Sequence, residues 1–397
     1  MKQDHGHVLT QLETLKRASR DLQNNTIFTS NDSHHASIKP LLHLESKADS
    51  VFSTNPDFSR LNQLLCNLKT LLEKIEKLQG FGLISLLHRQ IIRYKISQVA
   101  YAIEREIQAC IDRESVQNLV KTLEKSSDHE EEEKIGVLIE FIKRVSRGFD
   151  GDFQDLILKA KVFSILELLL CDSTCSSKRV REHVSLAVAA LAGFNRNVFV
   201  GLILMGPTIH ALIYMKSSCS IQVLCSLINL VRSPLIDEIH SRGEITEIIS
   251  LLSFNDLSTQ VAALDCICQI AYFGRREVVE SMIREGLIIN KLMELQRSKS
   301  RDDPSLIINT DHQSSGGDCD SVVICEENVE PSVLSDDPPP FSNPVSRFAV
   351  QVEVGEGLSS KEKIEMKLEI LKRVREASVS EAETASIVAE VLWGSSP

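Results

Sequence analysis

The chain is poor in aromatics and has no long apolar run. Phe, Trp and Tyr make up 5% of its 397 residues, with a single Trp. The longest apolar run, Val198 to Met205, is short and includes Gly201. A membrane-spanning helix needs about 20 apolar residues, so no membrane span is expected. The start, Met-Lys-Gln-Asp-His-Gly-His, lacks the apolar core of a signal peptide. Position 2 is not Gly, and the ending Gly-Ser-Ser-Pro carries no prenylation Cys. Positive charge is in deficit too: 44 Lys and Arg face 55 Asp and Glu, for a net charge of −11. A protein whose main partner is nucleic acid needs a basic surface to neutralise phosphates, so none is expected. The 10 cysteines contain no Cys-x-x-Cys pair, and no His-x(3–5)-His lies near them. Reduced structural thiols, no metal, and a reducing cytoplasmic or nuclear compartment follow as expectations.

Catalytic signatures are also missing. The chain has no Gly-x-Ser-x-Gly, no His-Glu-x-x-His, no Gly-x-x-x-x-Gly-Lys-Ser/Thr and no Gly-x-Gly-x-x-Gly. Gly355-Glu-Gly357 reads as a turn between segments, and His183, His210 and His240 fall at unrelated places. A lone His on a helix is more often a satisfied or exposed residue than a general base. The expectation is a non-enzyme without a cofactor.

What the chain does have is a period. Gly206, Gly243 and Gly286, spaced by 37 and 43 residues, each open a similar segment: Gly-Pro-Thr-Ile-His-Ala-Leu-Ile, Gly-Glu-Ile-Thr-Glu-Ile-Ile-Ser-Leu-Leu and Gly-Leu-Ile-Ile-Asn-Lys-Leu-Met. A second landmark agrees. Three small-residue helices align at Ser185–Ala192, Val223–Val231 and Ala263–Ala271, placing Leu191, Leu230 and Ile270 at intervals of 39 and 40 residues. A helical period near 40 is the mark of stacked repeats. The expected fold is all-α, and a stack of this kind presents an extended concave surface rather than a catalytic pocket.

Around the repeats the chain divides further. Residues 1–57 read as a mostly flexible N-terminal segment with one amphipathic helix at 8–24. Residues 58–127 read as a small N-terminal helical bundle. Its first helix carries Leu61, Leu64, Leu65, Leu68, Leu71, Leu72 and Ile75 at three-and-four spacing. A second helix is expected over about 83–111 and a short third over 114–123. Residues 128–134 are a charged linker or the first turn of the next helix. The repeats occupy 135–298, with one or two helices over 153–170 and Gly286–Leu295 as the first helix of a fourth unit. From Asp302 to Asp337 the chain has ten acidic residues and no Lys or Arg. Residues 299–345 therefore read as an acidic disordered insert, one that could fold back onto basic patches of the groove. Residues 346–397 supply helices that complete the last repeat. Two capping boxes are expected there, Ser359 with Glu362 and Ser380 with Glu383, with Leu368, Leu371 and Val374 on one face.

The unit Gly-x-Ile-x-x-Ile/Leu-x-x-Leu, followed by a polar turn and a final Ala-Leu-x-Asn-Leu-Ala-like helix, resembles the armadillo repeat. The match is best at Gly243–Leu252, Asn255-Asp256 and Gln260–Ala263. The resemblance covers about 160–290 well and implies an armadillo-like α-α superhelix. The strings Lys372–Glu383 and Ala389–Pro397 are similar to the tail of plant armadillo-repeat proteins, in the broad group that includes the U-box/armadillo proteins. The N-terminal bundle is similar in style to the domain preceding the U-box there. The chain has no Cys-Pro-Ile-type loop and no Gly-x-Thr-Tyr segment, so the U-box itself is missing.

In armadillo proteins the third helix of each repeat lines the groove, and an Asn ladder on it bonds the backbone of an extended peptide. The resemblance places Ala190, Asn229 and Gln269 at that position, so Asn229 and Gln269 are the candidate groove residues. Two basic clusters, Lys178, Arg179 and Arg181, and Arg275 with Arg276, are candidate contacts for an acidic or phosphorylated partner. The expected function is a non-catalytic adaptor or scaffold for other proteins. The alternative is a substrate-binding component of a ubiquitin-ligase pathway.

Overall fold

A computed structural model of the chain describes residues 59–77, 83–125, 131–173, 177–284, 287–301 and 343–393, together with Lys16, Arg17 and Arg20. The expected helix at 8–24 falls almost wholly outside these residues, and the acidic segment and Gly286 lie outside them. All regular structure in the described residues is helical. The chain forms two compact units, residues 1–166 and 167–397.

The first unit starts with α1 (Ser59–Lys77) and α2 (Leu83–Leu123). They pack on each other through Leu61, Leu65 and Leu68 from α1 and Ile96, Ala100, Ile103 and Ile107 from α2. Each such side chain contributes about 1.5–3 kcal/mol on full burial. The break expected between residues 111 and 114 does not exist: α2 runs unbroken for 41 residues. No Gly or Pro interrupts it. Asp112, a residue that looks like an interruption, is instead 5% exposed and grips Arg144 of α3 (Glu131–Val145) through two bonds of 2.7 Å. Arg144 also reaches Asp150 at 2.8 Å and lies over the Phe153 ring at 4.2 Å. Asp150 caps α4 (Gly151–Lys159), accepting from the backbone N–H groups of Asp152 and Phe153. One guanidinium thus joins two helices and the cap of a third. Its hydrogen bond to Asp112 raises its pKa despite the opposing effect of burial. Burial would raise the Asp150 carboxyl, but the Phe153 N–H and Arg144 outweigh it and hold that carboxyl below its ordinary value. The glutamate run ends as the first turn of α3, where Glu131, Glu132 and Glu133 meet the positive end of the helix dipole.

The unit boundary falls inside α5 (Val162–Cys171), so the stretch over 153–170 is two helices. The second unit continues with α6 (Lys178–Phe194) and then three triplets. The first is α7 (Arg196–Met205), α8 (Thr208–Tyr214) and α9 (Ser218–Val231). The second is α10 (Ser233–Ser241), α11 (Ile245–Ser250, extended by a 3-10 turn at Leu251–Ser253) and α12 (Leu257–Phe273). The third is α13 (Arg276–Arg284), α14 (Leu287–Arg301) and α15 (Pro344–Val354). The last helices, α6, α9, α12 and α15, pack against one another in sequence. This repeated triplet with a ladder of last helices is an armadillo-like, all-α fold. Gly286–Leu295 was expected as a first helix; α13 precedes it, so α14 is the second member of its triplet.

The repeat is written into the helix ends as well. Ser177, Ser217 and Asp256 cap α6, α9 and α12, each accepting from the backbone N–H three residues on. Gly206 and Gly243 sit at the corner between first and second helices, for two different reasons. Gly243 has φ +72°, a conformation that strains other residues. At Gly206 a Cβ would collide with the Glu167 carboxylate, which accepts a 2.7 Å bond from the Thr208 hydroxyl.

The chain closes with α16 (Ser360–Ala377) and α17 (Glu381–Trp393). Ser359 and Glu362 form the expected capping box. Ser380 and Glu383 do not complete theirs. Ser380 accepts from the Glu383 N–H, but the Glu383 carboxylate turns to the Val379 N–H and to Arg297 of α14. The bidentate pair with Arg297 fixes the carboxylate in a geometry that does not reach the Ser380 N–H. On α16 the buried stripe is Met366, Ile370, Leu371 and Val374, and Leu368 faces outward.

Candidate peptide-binding groove

The ladder of last helices carries a groove of about 560 Å³ at the C-terminal ends of α9, α12 and α15. Asn229 enters from α9, Asp265, Cys268, Gln269 and Tyr272 from α12, and Gln351 from α15. The side chains reach it because the opposite faces of these helices are committed to the core. Leu224, Leu227 and Ile228 of α9 and Leu264, Ile267 and Ile270 of α12 are essentially inaccessible. Residues one position after a buried site, such as Asn229 and Gln269, emerge at its edge.

The two amides expected from the resemblance are therefore placed in one groove. Asn229 is exposed and Gln269 is half-buried. The Gln269 Oε1 atom is buried and has no hydrogen-bond partner among the described residues. Ala190, the third position, lies in α6 and supplies no polar group.

The residues that close the groove were not evident from the sequence. Arg232, at the corner between α9 and α10, has φ +65° and ψ −137°, a region normally reserved for glycine. Its guanidinium lies 5.6 Å from the centre of the Phe273 ring and 3.0 Å from the Glu356 carboxylate. Glu356 belongs to the Gly355–Gly357 corner. That corner is docked onto the end of α12, because the N–H groups of Glu356 and Gly357 both donate to the Tyr272 carbonyl, at 2.8 and 3.2 Å. Further in, Asp265 pairs with Arg347 at 2.9 Å. The charges lining the groove thus occur as opposed pairs, while its amides remain available. The only sequence signal for Arg232 is its place just after a last helix and before Ser233-Pro234.

Cys268 also borders the groove, and burial pushes its thiol up to about 12. The neighbouring Cys266 thiol is raised as well, chiefly by its hydrogen bond with Cys225 and then by burial. At neutral pH these thiols stay protonated and behave as small core residues.

The basic candidates lie elsewhere. Lys178, Arg179 and Arg181 occupy the first turn of α6. Lys178 and Arg179 are exposed, and the Arg181 Nε is buried without a partner among the described residues. Arg275 and Arg276 already face carboxylates of the chain: Arg275 meets Asp237 at 3.3 Å, and Arg276 meets Glu365 at 3.0 Å. None of the five borders the groove. Of the scattered histidines, His210 bonds the buried Glu244 at 2.7 Å and His183 contacts the Arg179 carbonyl at 2.9 Å. No single described helix is long and apolar enough to cross a membrane.

The sequence matches no protein-family model and no curated protein. Among solved structures the chain is similar to a designed armadillo repeat protein at 14% identity, over 69% of this chain and 98% of that one, with a TM-score of 0.41. It is also similar to a designed armadillo repeat protein in complex with the peptide (KR)4, at 17% identity over 71% and 98% of the two chains, TM-score 0.41. An engineered protein matches 98% of this chain and 79% of its own, at 15% identity and TM-score 0.44. The armadillo-like assignment stands on the helix triplets described above.

Proposed function

We propose that this protein is a non-catalytic adaptor that holds an extended segment of another protein along its ladder of last helices. The observation that carries this is the pair Asn229 and Gln269 on consecutive ladder helices, lining one groove. An amide offers donor and acceptor together, so it suits a peptide backbone and is indifferent to side-chain identity. The internally paired charges of the groove fit the same role, since they leave backbone recognition as its main resource. The buried free thiols of Cys110, Cys225, Cys266 and Cys268 fit a cytoplasmic or nuclear setting. A partner with acidic or phosphorylated residues beside the gripped segment would find Lys178 and Arg179 exposed on α6. A substrate-binding role in a ubiquitin-ligase pathway is a narrower version of the same proposal.

A positional-scanning nonapeptide library, read by fluorescence polarisation against the full chain, tests the proposal. Extended peptides are expected to bind, and Asn229→Ala with Gln269→Ala should weaken them by about tenfold or more. No binding, or binding untouched by the double variant, overturns the groove assignment. Ubiquitin transfer by the isolated chain would overturn the non-catalytic one.

A further inference from the structure

The long helix α2 carries a seam that changes character halfway. Positions 84, 87, 91, 94, 98 and 101 follow the alternating three-and-four spacing by which one helix meets another. They are Ile84, Leu87, Ile91, Tyr94, Gln98 and Tyr101. The five apolar members are 74%, 64%, 52%, 65% and 57% exposed, in chain order. The same spacing continues through Arg105, Gln108, Asp112 and Leu119. There the seam meets its own unit: Lys16 donates to Gln108, Arg144 of α3 grips the buried Asp112 at 2.7 Å, and Leu119 is 1% exposed, while the Arg105 pair with Asp152 of α4 stays at the surface. Half of one continuous helix-accepting face is thus occupied by helices of its own unit. Among the described residues, the half from Ile84 to Tyr101 is not buried by any element.

Charge narrows what fits there. Between Leu83 and Ile103 the helix has Arg89, Arg93 and Lys95 and not one Asp or Glu. A second copy laid antiparallel on this seam would set these cations against themselves, which is destabilising. A helix with an apolar seam and flanking carboxylates meets both the apolar stripe and the cations. We propose that residues 84–101 of α2 form a second docking surface, independent of the groove, for an acidic amphipathic helix of a partner protein. The apolar anchors supply most of the affinity, and Arg93 and Lys95 select the sign of the partner's flanks.

The probe is a synthetic peptide of three heptads with Ile and Leu in the seam and Glu at the flanking positions, whose like charges keep it monomeric. Its counterpart carries Lys at those positions. Full-length protein should bind the Glu peptide at least about tenfold more tightly than the Lys peptide at low salt. Ile91→Ser with Tyr94→Ser, both exposed and so compatible with folding, should weaken the Glu peptide by about tenfold or more. Arg93→Glu with Lys95→Glu should reverse the preference. Equal binding of the two peptides, or indifference to the Ser variants, overturns the proposal. So does self-association in sedimentation that the Ser variants abolish, which would make a second copy the occupant. Co-sedimentation with phosphatidylserine vesicles that the same variants abolish would make it a membrane surface. Variants of Asn229 and Gln269 should leave Glu-peptide binding unchanged.

Discussion

The distal half of α2 and the ladder helix α12 bury themselves by opposite means. On α2 the covered face includes Asp112, and its contacts to α3 and to the cap of α4 run through ion pairs organised by Arg144. On α12 the covered face is Ala262, Ala263, Leu264, Ile267, Ile270 and Ala271, with buried thiols between them. The difference is one of tolerance. A small-residue aliphatic face lets neighbouring helices approach closely and accepts volume-conserving exchange. A buried guanidinium fixes a particular geometry and turns severe when one partner is lost. Repetition favours the first solution, because each ladder helix must fit two neighbours. A single junction of three elements can use the second.

Several changes should break or sharpen this contrast. Arg144→Ala leaves Asp112 charged and buried, and should cost about 3–5 kcal/mol in denaturant unfolding. Replacing both partners, Arg144→Met with Asp112→Leu, should recover most of that loss. If it does not, the junction is not held as described. Ile267→Ala in α12 opens a cavity in the ladder and should cost about 2–5 kcal/mol, with hydrogen exchange rising in α9 and α12 first. Ile267→Leu should cost less than about 1.5 kcal/mol. Gly243→Ala places a Cβ in the left-handed region and should cost about 1–2 kcal/mol. Asn229→Ala should change stability by less than about 0.5 kcal/mol while weakening peptide binding. A large stability loss there would mean the residue is structural.

Acid should act on the second unit through three carboxylates: Asp256, Glu383 and Glu362, the last held below its ordinary value chiefly by its hydrogen bond with Ser359. Asp256, bonded by Thr259 and Ser258 at the start of α12, is lowered to about 2. Glu383 is held below its ordinary value, chiefly by its hydrogen bond with Arg297. A carboxyl lowered in the folded state contributes stability above its unfolded value, near 4. That contribution fades as pH falls toward the folded value. The thermal midpoint should therefore be flat from neutral pH to about 5 and decline between about 4 and 2. Asp256→Asn should flatten part of that decline; an unchanged profile would remove the cap from the account.

The repeat was legible in the sequence because stacking forces each unit to repeat its buried positions. Leu191, Leu230 and Ile270 all landed on ladder helices, and their neighbours Asn229 and Gln269 at the groove. The period of the caps Ser177, Ser217 and Asp256 was equally available. What escaped depends on contacts between distant residues. Asp112 reads as an interruption until Arg144 is seen beside it, 32 residues away. Glu383 reads as a cap until Arg297 claims it, 86 residues away. The groove's closing pair, Arg232 and Glu356, spans 124 residues. Local spacing cannot announce such pairs, since neither member has a sequence neighbour that demands it.

The docking of the Gly355–Gly357 corner has a practical outcome. The fourth ladder helix, α15, and the two helices after it are held by packing on α12, α13 and α14, by backbone bonds to Tyr272, and by Arg297 and Arg276. All of these contacts are made by residues outside the stretch between Arg301 and Asn343. The protein should accordingly survive a cut in that stretch as a non-covalent pair of fragments, and a tag or a foreign domain placed there should leave the ladder intact. Lengthening such a connection adds only about 0.6 kcal/mol of closure cost per doubling. In engineering terms, this is where the chain can be split into a reporter whose two halves find each other again.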